Sequence, residues 1–310
     1  MSKPKLSVLV PISDRFDDLN ILLEKHKEVL ESIGLYHEFI FVLDGNFPEA
    51  RQSLDNLNKN NKHNVKKIVF NKSYGEAKAL SAAFSESSGS MILTLPAYFQ
   101  VSPEEIKKMF KEFTKDYDLL VGCRFPRRDS LINKMQSRIF HALVSKLTGE
   151  PLKDISCGVR LMRRDVFEKI NIYGDMHRFI PLLAINKGFK IKEINLRQPE
   201  EDIHLRIYRT GVYLRRLLDI LTLFFLIKFT QKPLRFFGLL GSGIWCIGLL
   251  LTMFTISQRL FGNTALADRP LFLGGILFLL VGLQTLFIGL VAEIIIFTHR
   301  PEEPLYNIEN

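Results

Sequence analysis

The chain is poor in cysteine, and in two long stretches it has no charge at all. Three cysteines occur in 310 residues, Cys123, Cys157 and Cys246, far apart and with no CxxC pair. Neither a zinc knuckle nor a disulfide framework is supported, and reduced thiols in a cytosolic compartment account for them. Charged residues are missing from Phe236 to Ser257 and again from Leu271 to Ala292, two runs of 22 residues each. About 20 apolar residues cross the hydrocarbon core of a bilayer, so these runs read as a membrane hairpin. The other reading is a pair of buried core helices. An apolar share of 47% beside 24% charged residues excludes disordered, collagen-like and disulfide-rich classes. It points instead to a water-soluble part and a lipid-soluble part in one chain.

What is abundant is positive charge, 42 Lys and Arg against 33 Asp and Glu, a net +9. An anionic partner follows from that: nucleic acid, a membrane surface or a phosphorylated substrate. Position decides among them. Arg206, Arg209, Arg215, Arg216, Lys228, Lys232 and Arg235 precede the first apolar run, and His299 and Arg300 follow the second. The polar link from Gln258 to Pro270 carries only Arg259 and Arg269, partly offset by Asp268. Basic residues flank the cytoplasmic ends of membrane spans, so both termini and the water-soluble part are expected in the cytoplasm, on a multi-pass protein of the inner membrane. The N-terminal run LSVLVPI is short and broken by Pro11, which argues against a signal peptide. Between Val212 and Thr230 an apolar stretch broken by Arg215, Arg216, Asp219 and Lys228 suits a helix lying along the inner leaflet, with an embedded third span as the competing reading. Nucleic acid is not expected, because the charge gathers at the membrane flank and no reading motif is present.

The first two hundred residues alternate in type. Strands are expected at Leu6–Ile12, in HEFIFVLDGN, at Val65–Phe70, in SMILTLPAYF and in DLLVGCRF. Helices are expected at Asp17–Ile33, Ala77–Ser85 and Glu104–Phe113, with LNKNNKHNVKK as a solvated connection. Strand–helix alternation predicts a largely parallel α/β sheet, whose ligands bind beyond the carboxyl ends of the strands. Those ends are Pro11, Asp44, Asn71, Pro96 and Arg124.

VLVPISDRFDDL, FVLDGN, NKSYGEAKALSAAFSESSG, VGCRFPRRDS, DISCGVRLMRRDVF and KPLRFFGLLG stand in the order expected of a family 2 glycosyltransferase. More narrowly, the chain resembles the polyprenyl-phosphate glycosyltransferases, such as dolichol-phosphate mannose synthases and bacterial undecaprenyl-phosphate glucosyltransferases, over nearly its whole length. The resemblance implies a GT-A nucleotide-sugar-binding domain over residues 1–205. An amphipathic juxtamembrane segment over 206–235, transmembrane helices over 236–257 and 271–292, and a cytoplasmic tail over 293–310 complete it. It implies transfer of a sugar, with a UDP-sugar as the expected donor, to a polyprenyl phosphate on the cytoplasmic face, among membrane lipids. A homo-oligomer is admitted among the expected assemblies.

The same resemblance assigns roles. Asp44 matches the acidic residue that holds the nucleoside, and an Asx turn at Asp44-Gly45 is the alternative. Pro11, Gly75, Ala97, Tyr98, Gln100 and Arg124 fall on the donor side. Asp154 matches an acidic residue near the reacting phosphate, with a helix cap or an ion pair to Arg160 or Arg163 as the alternative. Arg127 and Arg128, with Arg124, form a basic cluster suited to two-pronged phosphate contacts or to a solvated loop. Arg160, His177, Arg178, Arg206, Arg209 and Arg235 are candidates for the acceptor phosphate. For His177 and Arg178 an interior loop, and for Arg235 ordinary membrane-flank charge, serve equally.

One departure stands out. Where family members carry Asp-Ala-Asp before Leu-Gln, this chain has Pro96-Ala97-Tyr98-Phe99-Gln100. The carboxylates that would bind Mg²⁺ or Mn²⁺ are gone, so no residue is assigned to a metal and no cofactor is expected with certainty. The family's Asn-Glu after the first strand is replaced by Asp14-Arg15, and the segment YRTGVY, near Arg206 and Arg209, has lost its acidic residue. Arginines gained beside carboxylates lost suggest a site in which guanidinium groups neutralise the donor diphosphate. A catalytically inactive relative that binds lipid or a partner enzyme is the alternative function.

Overall fold

The computed structural model describes residues 4–59, 64–114, 116–126, 152–170, 172, 174, 176–200, 233–262 and 270–298. These fall into two units, the first holding the described residues up to 200 and the second those from 233 onward.

In the first unit seven described strands form one sheet: β1 (Leu6–Ile12), β2 (His37–Leu43), β3 (Val65–Val69), β4 (Met91–Thr94), β5 (Leu119–Arg124), β6 (Arg160–Arg163) and β7 (Ile191–Leu196). Their order is β3-β2-β1-β4-β6-β5-β7. β1 pairs in parallel with β2 and β4, β2 with β3, and β5 with β7, while β6 runs antiparallel between β4 and β5. The helices are α1 (Leu19–Ser32), α2 (Pro48–Lys59), α3 (Glu76–Ser85), α4 (Glu105–Glu112), α5 (Arg164–Lys169) and α6 (Ile180–Asn186), the last preceded by a 3₁₀ turn at Met176–Phe179. β1 is buried along its whole length, as its continuous apolar run requires of a strand covered on both faces. α1 starts where Asp18 Oδ1 accepts the Asn20 and Ile21 amides at 2.9 and 3.3 Å, and it buries Leu19, Leu22, Leu23, His26, Val29 and Leu30 along one face. Several elements depart from expectation, β6, β7 and α5 among them, for which the sequence offered no strand or helix reading. α2 occupies a polar stretch that gave no helical reading, burying Ala50, Leu54 and Leu57. Its last turn and the start of β3 take up the ends of the Asn/Lys stretch expected as a connection.

The chain passes from β1 to β2 on one side and returns through α3 to β4 on the other, which makes the β1/β4 boundary the switch point of the sheet. Pro11 shapes it. β1–β4 pairing ends at Leu9 and Thr94, and the last bond runs from Leu95 N–H to Leu9 O. On the other side Ile12 O accepts from Asp44 N–H. Backbone groups alternate sides along a strand, so Pro11 turns its missing N–H toward β4, where pairing has stopped. A central strand tolerates proline there, and the two strands separate beyond it.

The second unit is a pair of helices, α7 (Pro233–Gly262) and α8 (Pro270–Thr298). Both are long and apolar enough to cross a membrane, each over 29 residues and thus about 44 Å. Their outer faces expose large apolar side chains, among them Leu239, Phe261 and Phe297, which water would penalise and lipid accepts. The chain is accordingly a membrane protein. The helices meet on a glycine seam: Gly241 and Gly248 on α7, and Gly275, Gly282 and Gly289 on α8, each set spaced by seven residues. A Cβ added at Gly282 would lie 2.5 Å from the Trp245 amide nitrogen, and one at Gly248 2.6 Å from that of Leu279. Backbones this close need residues without side chains. Helix also continues past the charge-free runs, so residues 258–262 of the expected link are helical. At the other end Glu293 Oε2 accepts the orphan Leu234 amide of the first turn of α7 at 3.2 Å.

Candidate active site

The carboxyl edge of the sheet collects the polar side chains that the core lacks. At the end of β2, Asp44 is 1% exposed, and its carboxylate accepts the Tyr74 amide at 2.6 Å, the Gly75 amide at 2.9 Å and the Ser73 hydroxyl at 2.9 Å. Gly75 has φ near +91°, a conformation open to glycine, and stands at the N-cap of α3. Asp44 therefore ties the end of β2 to the entry of α3. The Asx-turn alternative gives way to a longer-range contact.

At the end of β5, Arg124 and Asp154 form a buried two-pronged ion pair. Arg124 Nε donates to Asp154 Oδ2 at 2.7 Å and Nη2 to Oδ1 at 3.0 Å. Ser156 Oγ donates to Asp154 Oδ1 at 2.8 Å and accepts from Arg124 Nη2 at 2.9 Å. Burial works against the Arg124 charge, but the carboxylate beside it outweighs burial and pushes the guanidinium above its ordinary value. The partner of Asp154 is thus Arg124, where the sequence offered Arg160 or Arg163. Glu193 on β7, which no motif signalled, accepts the Lys153 and Asp154 amides at 2.8 and 3.0 Å and fixes the loop. Arg163 instead pairs with Asp118 at 3.2 Å.

Arg160 is 2% exposed and donates to the backbone oxygens of His177 and Ile155 at 3.1 and 3.2 Å. Its Nε, like His177 Nδ1, is buried without a hydrogen-bond partner among the described residues. His177 Nε2 lies 3.3 Å from Glu76 Oε2. Burial first, then the Arg178 and Arg160 charges, push the His177 ring down to about 3, so it is neutral at pH 7 and this contact is not an ion pair. Arg160 and His177 thus brace the 3₁₀ turn against α3 and β6 from within. Arg178 beside them is half-buried. Cys123 and Cys157 sit under the same edge as free thiols, pushed up by burial to about 11 and about 12.

The loop after β4 carries the departure seen in the sequence. Ala97 O accepts the Asp17 amide and Asp17 Oδ2 the Phe99 amide, both at 2.9 Å. Gln100 donates from Nε2 to the Tyr98 hydroxyl at 3.0 Å and accepts the Gly158 amide at 2.7 Å. The Arg15 guanidinium lies 4.4 Å above the centre of the Tyr98 ring. A divalent ion of the kind the fold family uses needs oxygen ligands from this loop. Pro96 and Ala97 offer no side-chain donor, and a phenol already bonded to Gln100 is a poor one. Among the described residues no group of three or more His, Cys, Asp or Glu side chains is placed to hold a metal. These residues do not fit the ion.

Pro11, Asp44, Gly75, Ala97, Tyr98, Gln100, Arg124, Asp154, Arg160, His177 and Arg178 all belong to the first unit. Arg235 lies exposed on the first turn of α7, in the second unit. Arg127, Arg128, Arg206 and Arg209, and the 212–230 segment, lie outside the described residues.

Residues 7–171, just over half of the chain, match the family described as Glycosyl transferase family 2. The chain belongs to this family. An undecaprenyl-phosphate 4-deoxy-4-formamido-L-arabinose transferase of Photorhabdus laumondii is 30% identical over 98% of this chain and 93% of its own length. The protein of that name from Proteus mirabilis is 30% identical over the same shares. Among solved structures, glucosyl-3-phosphoglycerate synthase from Mycobacterium tuberculosis in complex with UDP covers 71% of this chain and 79% of its own, with a TM-score of 0.53 at 11% identity. Mannosyl-3-phosphoglycerate synthase from Rubrobacter xylanophilus covers 70% and 72%, with a TM-score of 0.55 at 10% identity. At such identities the likeness carries the fold, which is GT-A. The protein is therefore a membrane-associated family 2 glycosyltransferase, as the motifs implied.

Proposed function

We propose that this glycosyltransferase moves a sugar from a UDP-sugar to the phosphate of a polyprenol at the cytoplasmic face of the membrane. The observation that supports this best is the joining, in one chain, of an ordered GT-A sheet edge and two apolar helices, along nearly the full length shared with relatives named for undecaprenyl phosphate. UDP is the donor nucleotide proposed because it is the ligand of the solved neighbour.

An acceptor phosphate oxygen bonds to the anomeric carbon as the sugar's bond to the nucleoside diphosphate breaks, and the electron pair leaves with the diphosphate. A phosphate monoester has a second pKa of about 6, so the acceptor is ionised at pH 7 and needs placement more than proton removal. Asp154 suits a placing role rather than proton removal: its oxygens are committed to Arg124 and Ser156, and the buried pair fixes the sheet edge at which the phosphates are proposed to react. Asp44 sets the Ser73–Gly75 segment beside the nucleotide through the Tyr74 and Gly75 amides and the Ser73 hydroxyl. Arg127 and Arg128 remain proposed phosphate contacts, and Arg178, Arg206, Arg209 and Arg235 proposed contacts of the acceptor. The proposed topology puts both termini in the cytoplasm, so Asn263→Cys in intact cells should react with an impermeant maleimide and Ser2→Cys should not.

The test is transfer of labelled sugar from a panel of nucleotide sugars to undecaprenyl phosphate by the full chain in detergent. A lipid-linked product with one UDP-sugar is expected. Nucleotide binding without product from any donor would favour the inactive, lipid- or partner-binding reading that the missing carboxylates raise.

A further inference from the structure

The switch point of this sheet holds an arginine where the metal-binding carboxylates of the family would act. The β1–α1 and β4–α4 loops flank the crevice that opens where β1 and β4 part after Leu9 and Thr94. Nucleotides bind in such crevices, outside the carboxyl ends of the strands. The family's carboxylates belong to the second of these loops, and there Tyr98 presents a ring to the first. Arg15 lies over it, its guanidinium carbon 4.4 Å from the ring centre, with Asp17 Oδ1 3.6 Å from its Nη2. Asp17 is in turn fixed by the Ala97 oxygen and the Phe99 amide of the same loop. Gln100 steadies the Tyr98 hydroxyl and reaches across to Gly158.

Two of the other described arginines at this edge are engaged internally. Arg124 is locked to Asp154 at 8% exposure, and Arg160 is 2% exposed and bonded to backbone oxygens. The Arg15 side chain is 32% exposed. It reaches solvent at the crevice while an aromatic face and a carboxylate hold its direction. A guanidinium is always charged and offers paired N–H groups that match phosphate oxygens.

We propose that Arg15, seated on Tyr98, is the cation that binds the terminal phosphate of the donor diphosphate, in place of a carboxylate-held divalent ion. Tyr98 is the positioning residue. This rests on the nucleotide-sugar reading above and adds the residue that neutralises the donor.

The experiment is calorimetric titration of UDP and of UMP into the full chain in detergent with EDTA present. UDP should bind the wild-type chain without metal. Arg15→Ala should weaken UDP by about 10- to 100-fold, the loss of one charged hydrogen-bonding partner, and UMP by less than about threefold. Arg15→Lys should recover part of the difference, since the charge returns without the fork. Tyr98→Phe should keep the preference for UDP over UMP and Tyr98→Leu should reduce it, a distinction that a merely structural role for the ring would not produce. UDP affinity unchanged in Arg15→Ala, equal losses for UDP and UMP, or wild-type binding that requires Mn²⁺ would each overturn the inference and leave the nucleotide-sugar reading standing. If the wild-type chain binds neither UDP nor any UDP-sugar, with or without Mn²⁺, both fall.

Discussion

The loop that leads into β6 and the loop that follows β4 meet at one hydrogen bond, from the Gly158 amide to Gln100, and they are built from opposite materials. The first is held by charge: a buried Arg124–Asp154 pair, Ser156 between them, and Glu193 beneath. The second is held by backbone bonds, the Asp17 carboxylate from the β1–α1 loop, an amide side chain and a ring, with no carboxylate of its own in Pro96–Gln100. What the contrast teaches is which acidic residues this fold keeps. Asp44 and Asp154 organise the protein's own amides and guanidinium, so losing them would leave buried donors unpaired. Carboxylates on the β4 loop would serve a metal and the ligand, and the fold stands without them.

The largest effect should come from breaking the charged loop. Asp154→Ala leaves the Arg124 guanidinium buried without its counter-charge, a loss of about 3–5 kcal/mol in stability. Thermal unfolding of the full chain in detergent measures it, and an unchanged melting temperature would show that Arg124 finds another partner. Next comes Asp44→Ala, which strips the acceptor from the Tyr74 and Gly75 amides and should weaken UDP binding by about 1–3 kcal/mol in the same titrations. Unaltered affinity would confine Asp44 to the strand end.

Acid provides a smaller, graded probe. His26, stacked on Phe99 at 5.8 Å, is pushed down to about 4 chiefly by burial, and His177 to about 3. Both rings lie below the ordinary histidine value, so the unfolded chain binds protons first as pH falls. The stability they confer is complete above about pH 6.5 and is lost progressively toward about 4 for His26 and about 3 for His177, at up to about 1.4 kcal/mol per pH unit for each ring. Melting temperatures at pH 7.5 and 5.5 should differ accordingly, and His26→Gln should flatten part of the slope. Smallest of all, Pro96→Asp combined with Tyr98→Asp should leave Mn²⁺-stimulated transfer near zero. The reinstated charges oppose the diphosphate and remove the seat of Arg15. Strong Mn²⁺ activation of that variant would show that the β4 loop still has the geometry of a metal site.

Much of this was legible in the sequence. β1 to β5 announce themselves as apolar runs that stop at turn residues, and α7 and α8 as runs without charge. β6 was hidden because RLMR is four residues bounded by arginines, and its antiparallel insertion has no local signature. β7, IKEINL, is an edge strand with Lys192 and Glu193 adjacent, so it shows neither an apolar run nor a strict alternation. α2 is mostly polar, although Ala50, Leu54 and Leu57 at four- and three-residue spacing give the face away. For the site, motif order singled out Asp44, Asp154 and the missing carboxylates, and the structure brings Asp44 and Asp154 to the carboxyl edge of the sheet. The pairing of Asp154 with Arg124, the brace formed by Arg160 and His177, and the seat of Arg15 join residues far apart in the chain, on separate loops and elements. Tertiary approach alone creates them.

The most direct test of a family 2 transferase working through a fixed guanidinium is the initial rate of transfer from the preferred UDP-sugar to undecaprenyl phosphate, measured with EDTA and again with Mn²⁺ added back. The account predicts a rate that EDTA changes by less than about twofold, with Arg15→Ala slower by roughly 10²–10³-fold, as expected for one preorganised electrostatic group. A wild-type rate abolished by EDTA and restored by Mn²⁺ would contradict it.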